Sequence, residues 1–378
     1  MEATKELIAL LKHQDAEVRA QAVKALGESP MSGDSIDLGA LLLDPSLRVR
    51  MFTAITIGKL KAYGFTPQIW EMIEANADKD PYLRSAGAFA LEQLARDPRQ
   101  VSALSDHQSP HVRLAAVVAL RRMRSPELAR FINDSDPRVS DEAIRAIHDA
   151  GIEEARPAVA ALLDQPAAAK RSPFMLRRLI HSAFRLDGAE NAKRLLAVTN
   201  GADFPLEVRR EAIRLLSVWP EPPPVDQSTG HFAPLPKRDL SMIKSEIVSA
   251  MPGMLKRDDT LAEALDLIFH FDLSIEQLDS ATVRALVVKE SLDGAARAKA
   301  LELYAARKPA DLAPLLVKLC AQSSDLLALD AMRLLVARFP EQAVQPLVAS
   351  ATSSCCHWLL YNKNFSSTGL HDSVMYSF

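Results

Sequence analysis

Nine histidines and three cysteines are the side chains here best suited to chemistry, and their arrangement speaks against most of it. A two-iron centre on a helical scaffold takes His-Glu dipeptides from successive helices, and the chain has no His-Glu dipeptide. His107, His111, His148, His181, His231 and His270 are scattered, without the close helical spacing of a metal site. Each reads as a structural histidine. His148-Asp149 falls at a helix end, where an imidazole can meet free carbonyls. Cys320 lies in the apolar run Pro314-Leu-Leu-Val-Lys-Leu-Cys320 and reads as buried and inert. Cys355 and Cys356 are adjacent, so the three thiols make no disulfide framework. There is no Gly-x-Ser-x-Gly elbow, phosphate loop or dinucleotide fingerprint. The sequence therefore assigns no catalytic residue, no metal ligand and no cofactor.

One charged constellation remains. Arg121, Arg122 and Arg124, with Lys170, Arg171, Arg177 and Arg178, can line one edge of a helical array and neutralise phosphates. The stacking aromatics of a nucleic-acid groove are not interleaved with them, which favours a solvated face or an acidic protein partner. The whole chain agrees: 45 Lys and Arg against 48 Asp and Glu give a net charge of −3 over 378 residues.

The elements that must carry these residues are repeats. Six strings align: Asp15-Ala-Glu-Val18-Arg19, Ser46-Leu-Arg-Val49-Arg50, Asp80-Pro-Tyr-Leu83-Arg84, Ser109-Pro-His-Val112-Arg113, Asp136-Pro-Arg-Val139-Ser140 and Pro205-Leu-Glu-Val208-Arg209. A looser copy sits near Leu176-Arg177. Asp15, Asp80 and Asp136 are natural N-caps, because a carboxylate there accepts an orphan backbone N–H. Pro81, Pro110 and Pro137 follow at the first helical position, where a missing N–H costs nothing. Small or apolar residues then recur four, seven and eight places after the anchor, as in Ala116, Ala119 and Leu120 or Ala143, Ala146 and Ile147. Those offsets draw one stripe on a helix. Upstream of most copies lies another short apolar stretch: Leu7–Leu11, Leu38–Leu43, Ile69–Ile73, Leu128–Ile132 and Val159–Leu163. Two short helices per thirty or so residues cannot bury a core alone, so neighbouring pairs must stack. The expected fold is all-α, an α/α superhelix of about ten helical pairs.

Residues 1–219 hold seven such pairs. Trp219-Pro-Glu-Pro-Pro-Pro-Val-Asp226 then stops helix formation, and 220–238 reads as a Pro-rich connector. A second, looser helical segment of three pairs is expected over 239–350. The tail, 351–378, loses the helical period and reads either as a disordered tail or, the favoured reading, as the product of a truncated or shifted reading frame. The N-terminus begins a helix at once and shows no signal sequence, and no apolar run is long enough to insert in a membrane. A soluble, cytoplasmic chain is the default expectation. The oligomeric state is not written in the sequence.

The Asp-Pro-x-Val-Arg pattern resembles the HEAT repeat, particularly its short bacterial form of the PBS-lyase type. That resemblance implies that Arg19, Arg50, Arg84, Arg113 and Arg209 ladder to acidic groups of adjacent repeats, with Ser140 breaking the ladder. A narrower resemblance covers residues 80–240. Ala143-Ile-Arg-Ala-Ile-His-Asp149, Leu176-Arg-Arg-Leu-Ile-His-Ser-Ala-Phe-Arg-Leu186, Trp219-Pro-x-Pro-Pro-Pro and Thr229-Gly-x-x-x-Pro-Leu-Pro-Lys-Arg-Asp239 are similar to the helical-repeat region of multidomain bacterial dehydrogenases of planctomycete and verrucomicrobial type. In that family a propeller precedes the solenoid and a c-type haem domain follows it, which implies an exported parent protein. The haem motif Cys-x-x-Cys-His is missing here; Ser353 stands where its first cysteine would be, so neither haem nor redox activity carries over. The expected function is a non-catalytic scaffold contacting a protein or neighbouring domains of its own polypeptide. The rival is a HEAT-repeat enzyme of bilin-lyase-like or nucleic-acid glycosylase-like type.

Overall fold

The computed structural model describes residues 2–29, 36–273, 278–322 and 326–351, and the tail read above as irregular lies outside them except for Ala351. Among the described residues every regular element is helical, and the one β contact is an isolated bridge between Val225 and Phe232. The chain is an all-α solenoid, divided into two compact units, Met1–Glu246 and Ile247–Phe378.

In the first unit each pair ends in a long second helix, preceded by a shorter first element. α1 (Glu2–Leu10) precedes α2 (Ala16–Leu26), and a 3-10 turn, Ala40–Leu43, precedes α3 (Leu47–Lys59). α4 (Thr66–Asn76) and α5 (Pro81–Leu94) form a pair, as do α6 (Pro98–Ser102) and α7 (Pro110–Arg122). The 3-10 turn Pro126–Phe131 precedes α8 (Pro137–Asp149), α9 (Arg156–Ala161) precedes α10 (Pro173–Arg185), and α11 (Ala189–Asn200) precedes α12 (Leu206–Ser217). Two of the expected short first helices are thus 3-10 turns: four to six residues are enough to bury Leu41 and Leu42, or Leu128 and Phe131, without completing an α-helical segment.

The second helices pack in one succession, α2 on α3, α3 on α5, α5 on α7, α7 on α8, α8 on α10 and α10 on α12. Their anchors explain why. Val49, Leu83, Val112, Val139 and Val208 are buried, as are Ala116, Ala119, Ala143, Ala146 and Ala212. Val18, which has a neighbour on one side only, is half-buried. Alanine lets two backbones approach closely. Gly87 on α5 goes further: a Cβ there would sit 2.6 Å from Cγ1 of Ile73 on α4.

The segment 220–238 is folded onto the first unit. Its backbone closes on itself, with Asp226 N–H donating to His231 C=O (2.9 Å) and Ala233 N–H to Pro224 C=O (2.9 Å). Gly230, at φ 75°, makes the turn and donates to Asp226 C=O at 2.7 Å. Between α12 and the next helix this stretch is thus an ordered strap on the array.

α13 (Ser241–Met254) follows the strap. The second unit contains α14 (Leu261–His270), α15 (Ser280–Val288), α16 (Gly294–Ala306), α17 (Leu312–Gln322), α18 (Leu326–Arg338) and α19 (Pro340–Ala351). Here α14 and α15 pack on α16, α16 and α17 on α18, and α18 on α19. Cys320 on α17 is half-buried, less enclosed than the sequence suggests, and burial raises its thiol pKa. No helix is long and apolar enough to cross a membrane among the described residues.

Candidate functional site

Two gatherings of charged side chains in the first unit differ in whether anything can enter; a further open depression, of about 500 Å³, is lined by polar groups without an apolar floor, Asp106, Arg113, Arg130 and Asp134 among them. The first lies where the strap meets α8, α10 and α12. His148 and His181, on adjacent second helices, bring their rings to 6.4 Å between centroids. Asp226 of the strap comes close to both, with carboxylate oxygens 4.0 Å from His148 Nε2 and 3.8 Å from His181 Nδ1. Ser228 closes the group, its hydroxyl 2.6 Å from His148 Nε2 and 2.5 Å from Asp226 Oδ1.

The protons can be placed by elimination. Burial and the Arg156 cation push the His148 pKa down to about 3, outweighing the opposite pull of Asp226. His148 is therefore neutral. Arg156, which can only donate, points a guanidinium nitrogen at His148 Nδ1 from 3.2 Å, so Nδ1 carries no hydrogen. The hydrogen sits on Nε2 and is donated to Ser228 Oγ, which in turn donates to the Asp226 carboxylate. Ser182 Oγ adds a contact of 2.9 Å to Nδ1. The histidine thus meets two serines and an arginine rather than the helix-end carbonyls its position suggested.

Carboxylates hold the rest. Burial raises the Asp226 pKa, yet the Ser228 hydroxyl and N–H and the two imidazoles outweigh it, leaving the pKa at about 2. Arg185 reaches Asp226 Oδ2 at 3.3 Å. Glu211 on α12 accepts from His181 Nε2 at 2.7 Å and from Arg177 Nε at 2.8 Å, and those bonds overcome its burial to lower its pKa. Glu153 clamps Arg156 at 2.7 and 2.8 Å. Arg238, at the end of the strap, lies over the rings of Trp219 (4.6 Å) and Phe184 (5.2 Å) and donates to Phe184 C=O at 2.7 Å. The void beside Asp226, His181 and Arg185 measures about 10 Å³, room for a single water. This cluster holds the strap; it has no space for a substrate.

The second place is open. A depression of about 340 Å³ lies on four consecutive second helices, floored by Leu114 and Val118 of α7 and Met175 of α10. Arg84, Arg138, Asp141, Glu142 and Arg145, with Asp78, form its rim. Tyr82 on α5 and Phe174 on α10, the outer two of the four helices, are 73% and 74% exposed.

The arginines after the anchors occupy several settings. Arg19 forks onto Asp44 (2.8 and 2.9 Å) and Arg113 onto Asp134 (2.7 and 2.9 Å), both carboxylates belonging to the next repeat. Each aspartate also accepts the N–H of the following helix cap, Ser46 or Asp136, at 2.8 Å. Arg84 turns to Asp78 of its own loop instead, Arg50 donates to Asp44 C=O at 2.6 Å, and Arg209 donates to Phe204 C=O at 3.2 Å. Where Ser140 replaces the arginine, Arg171 of the following repeat donates to its hydroxyl (3.1 Å) and to Asp141 (3.0 Å). Asp15, Asp80 and Asp136 cap their helices through Glu17, Leu83 and Arg138 N–H respectively.

The basic constellation does not assemble into one bare edge. Arg121 pairs with Glu142, Arg122 with Glu92, Arg177 with Glu211 and Arg178 with Asp149, while Arg124 reaches Gly151 C=O and Lys170 is exposed. Sequence reasoning missed Asp226, Ser228, Glu211 and Arg156. One signal was available: His148 and His181 stand one repeat length apart, which puts them on neighbouring helices. No grouping of three or more His, Cys, Asp or Glu side chains suited to a metal occurs among the described residues.

No curated protein matches the chain. The crystal structure of an engineered protein aligns over 94% of this chain and 95% of its own at 16% identity, but with a TM-score of 0.32 it superposes too loosely to carry an argument. The HEAT-repeat family model matches residues 4–92 and 100–173, a span that runs from α1 to the start of α10 and stops before His181, Glu211 and the strap.

Proposed function

We propose that this protein is a non-catalytic HEAT-repeat scaffold that docks a protein segment on the row of second helices in its first unit. One observation carries the reading: the depression across α5, α7, α8 and α10 combines an apolar floor with a charged rim, whereas the buried cluster at the strap is filled. An apolar anchor entering a pocket ringed by polar groups is how a groove selects a segment. Neither the bilin-lyase-like nor the glycosylase-like alternative has a comparable observation in its favour.

A finer reading places the chain in a larger parent, as a spacer or docking module of a multidomain bacterial dehydrogenase carrying a c-type haem domain. Its support is the resemblance itself, together with the fact that the strings carrying it supply His148, His181, Trp219 and Arg238, all of which hold the strap.

The docking surface is tested by panning a displayed peptide library on the full chain, with Val118→Asp as counter-selection and Met175→Ala as a milder second variant. A shared motif that binds the parent and is lost on both variants, each shown folded by its melting curve, is the expected result. Selected peptides that bind parent and variants equally would sink the reading.

A further inference from the structure

The row of second helices is far more basic than the chain it belongs to, and we propose that its occupant is an acidic protein segment carrying an apolar anchor. This rests on the docking reading above and names the partner's chemistry. Helices α2, α3, α5, α7, α8, α10 and α12 together carry seventeen Arg and Lys against seven Asp and Glu. The first helices α1, α4, α6, α9 and α11 carry five of each. A chain of net charge −3 thus concentrates its positive charge on one succession of packed helices. Much of the balancing negative charge sits in loops, as in Asp44, Asp78 and Asp134, which pair with arginines near the starts of the second helices.

Pairing does not remove the field. Arg121 and Arg145 share the single carboxylate of Glu142, and Lys24 lies over the Phe52 ring 5.5 Å from its centroid. An excess of guanidinium groups on one row of helices still attracts an extended anion and speeds its encounter.

The depression decides between the two anions that could answer that field. Asp78, Asp141 and Glu142 line it along with the arginines. A polyphosphate brings only acceptors and is repelled by those carboxylates. A peptide brings backbone N–H groups that can donate to them, carboxylates for Arg138 and Arg145, and an apolar side chain for the floor of Leu114, Val118 and Met175. The rim offers acceptors that a peptide's N–H groups can use and a phosphate backbone cannot.

The test uses the full chain and fluorescence anisotropy with three labelled probes: an acidic peptide, such as a Glu/Asp dodecamer with a central Leu-x-x-Leu, its Lys-for-Glu/Asp counterpart, and a twenty-nucleotide oligothymidylate. The acidic peptide should bind at least tenfold more tightly than its charge-inverted form and more tightly than the oligonucleotide. Arg138→Glu with Arg145→Glu, both arginines being about half exposed, should weaken it at least tenfold, while Arg99→Glu on α6 should leave it unchanged. Equal binding of the two peptides, tighter binding of the oligonucleotide, or no loss in the double variant would overturn the proposal. The panning experiment separates the failures. A Val118-dependent motif without acidic residues ends this inference and leaves the docking reading standing; if no motif depends on Val118, both fall.

Discussion

The seam between α5, α7 and α8 and the joint between α8, α10 and the strap bury their neighbours by opposite means. At the seam the contacts are small and apolar: Ala86, Ala90, Ala116, Ala119, Ala143 and Ala146 are all buried. Such a surface accepts any helix with the same stripe, which is why the pattern can be repeated and the array extended. At the joint the contacts are polar and directional, running from His148 through Ser228 to Asp226 and from Glu211 to His181 and Arg177. A polar network fits one partner only, since each donor must find its acceptor. The first kind of surface builds length and the second specifies where one strap goes.

The contrast is sharpest in what a single deletion should do. Asp226→Ala removes the acceptor of Ser228 and the counter-charge of Arg185, both largely enclosed. Breaking a buried charged pair costs about 3–5 kcal/mol, because the remaining partner is left uncompensated. Thermal melting should show that loss, and Asp226→Asn, which keeps an acceptor for the Ser228 N–H, should recover part of it. Hydrogen exchange should locate the opening at 220–238 while α5 and α7 stay protected. Uniform loss of protection across both would mean that the joint and the seam form one cooperative unit.

Acid should find the same joint first. His148 has a folded pKa of about 3 against roughly 6.5 in the unfolded chain, so below pH 6.5 the unfolded state takes up a proton that the folded state refuses. Stability falls as pH drops from 6.5 toward 3, by roughly 3 kcal/mol at pH 4.5. Asp226, whose pKa is lowered to about 2, adds a further loss as pH falls below its unfolded value of roughly 3.9. Urea titrations across this range should show the slope, and His148→Gln should flatten it between pH 6.5 and 4.5. An unchanged slope would place the acid sensitivity elsewhere.

The seam breaks by volume instead of charge. Ala116→Phe or Ala143→Phe inserts a ring where neither helix can yield, at a cost of about 1–3 kcal/mol. Unchanged melting of both variants would contradict the packed register. Within the strap, Gly230→Ala should cost about 1 kcal/mol, since alanine resists the positive φ of the turn.

How far the sequence revealed these two regions follows from the same physics. The seam was legible because Asp80-Pro81, Ser109-Pro110 and Asp136-Pro137 mark helix starts and the alanines repeat at helical offsets. The short first elements were less so: Leu128–Ile132 has too few turns for its period to separate a 3-10 turn from an α-helix. The joint was not legible. His148, His181 and Ser228 lie 33 and 47 residues apart in turn, the first two on second helices and the third in the strap, and no periodicity links Ser228 to the histidines. Once adjacent second helices are known to pack, the two histidines follow, but Asp226 lies in a proline-rich stretch whose docking depends on the structure as a whole.

The smallest expected effect tests whether charge contributes to the seam at all. Arg48 of α3 and Glu17 of α2 join neighbouring second helices across 3.0 Å, and both side chains are more than half exposed. Water screens such a pair, and holding two long side chains in one geometry costs entropy, so the coupling should lie between 0 and about 1 kcal/mol. A double-mutant cycle with Glu17→Gln and Arg48→Gln, followed by melting, measures it. A coupling near that of the Asp226–Arg185 pair would erase the distinction between the two regions, because the seam would then also specify its neighbour by charge. A value close to zero would leave the alanine stripe as the force that stacks these helices and the exposed charges free to face a partner.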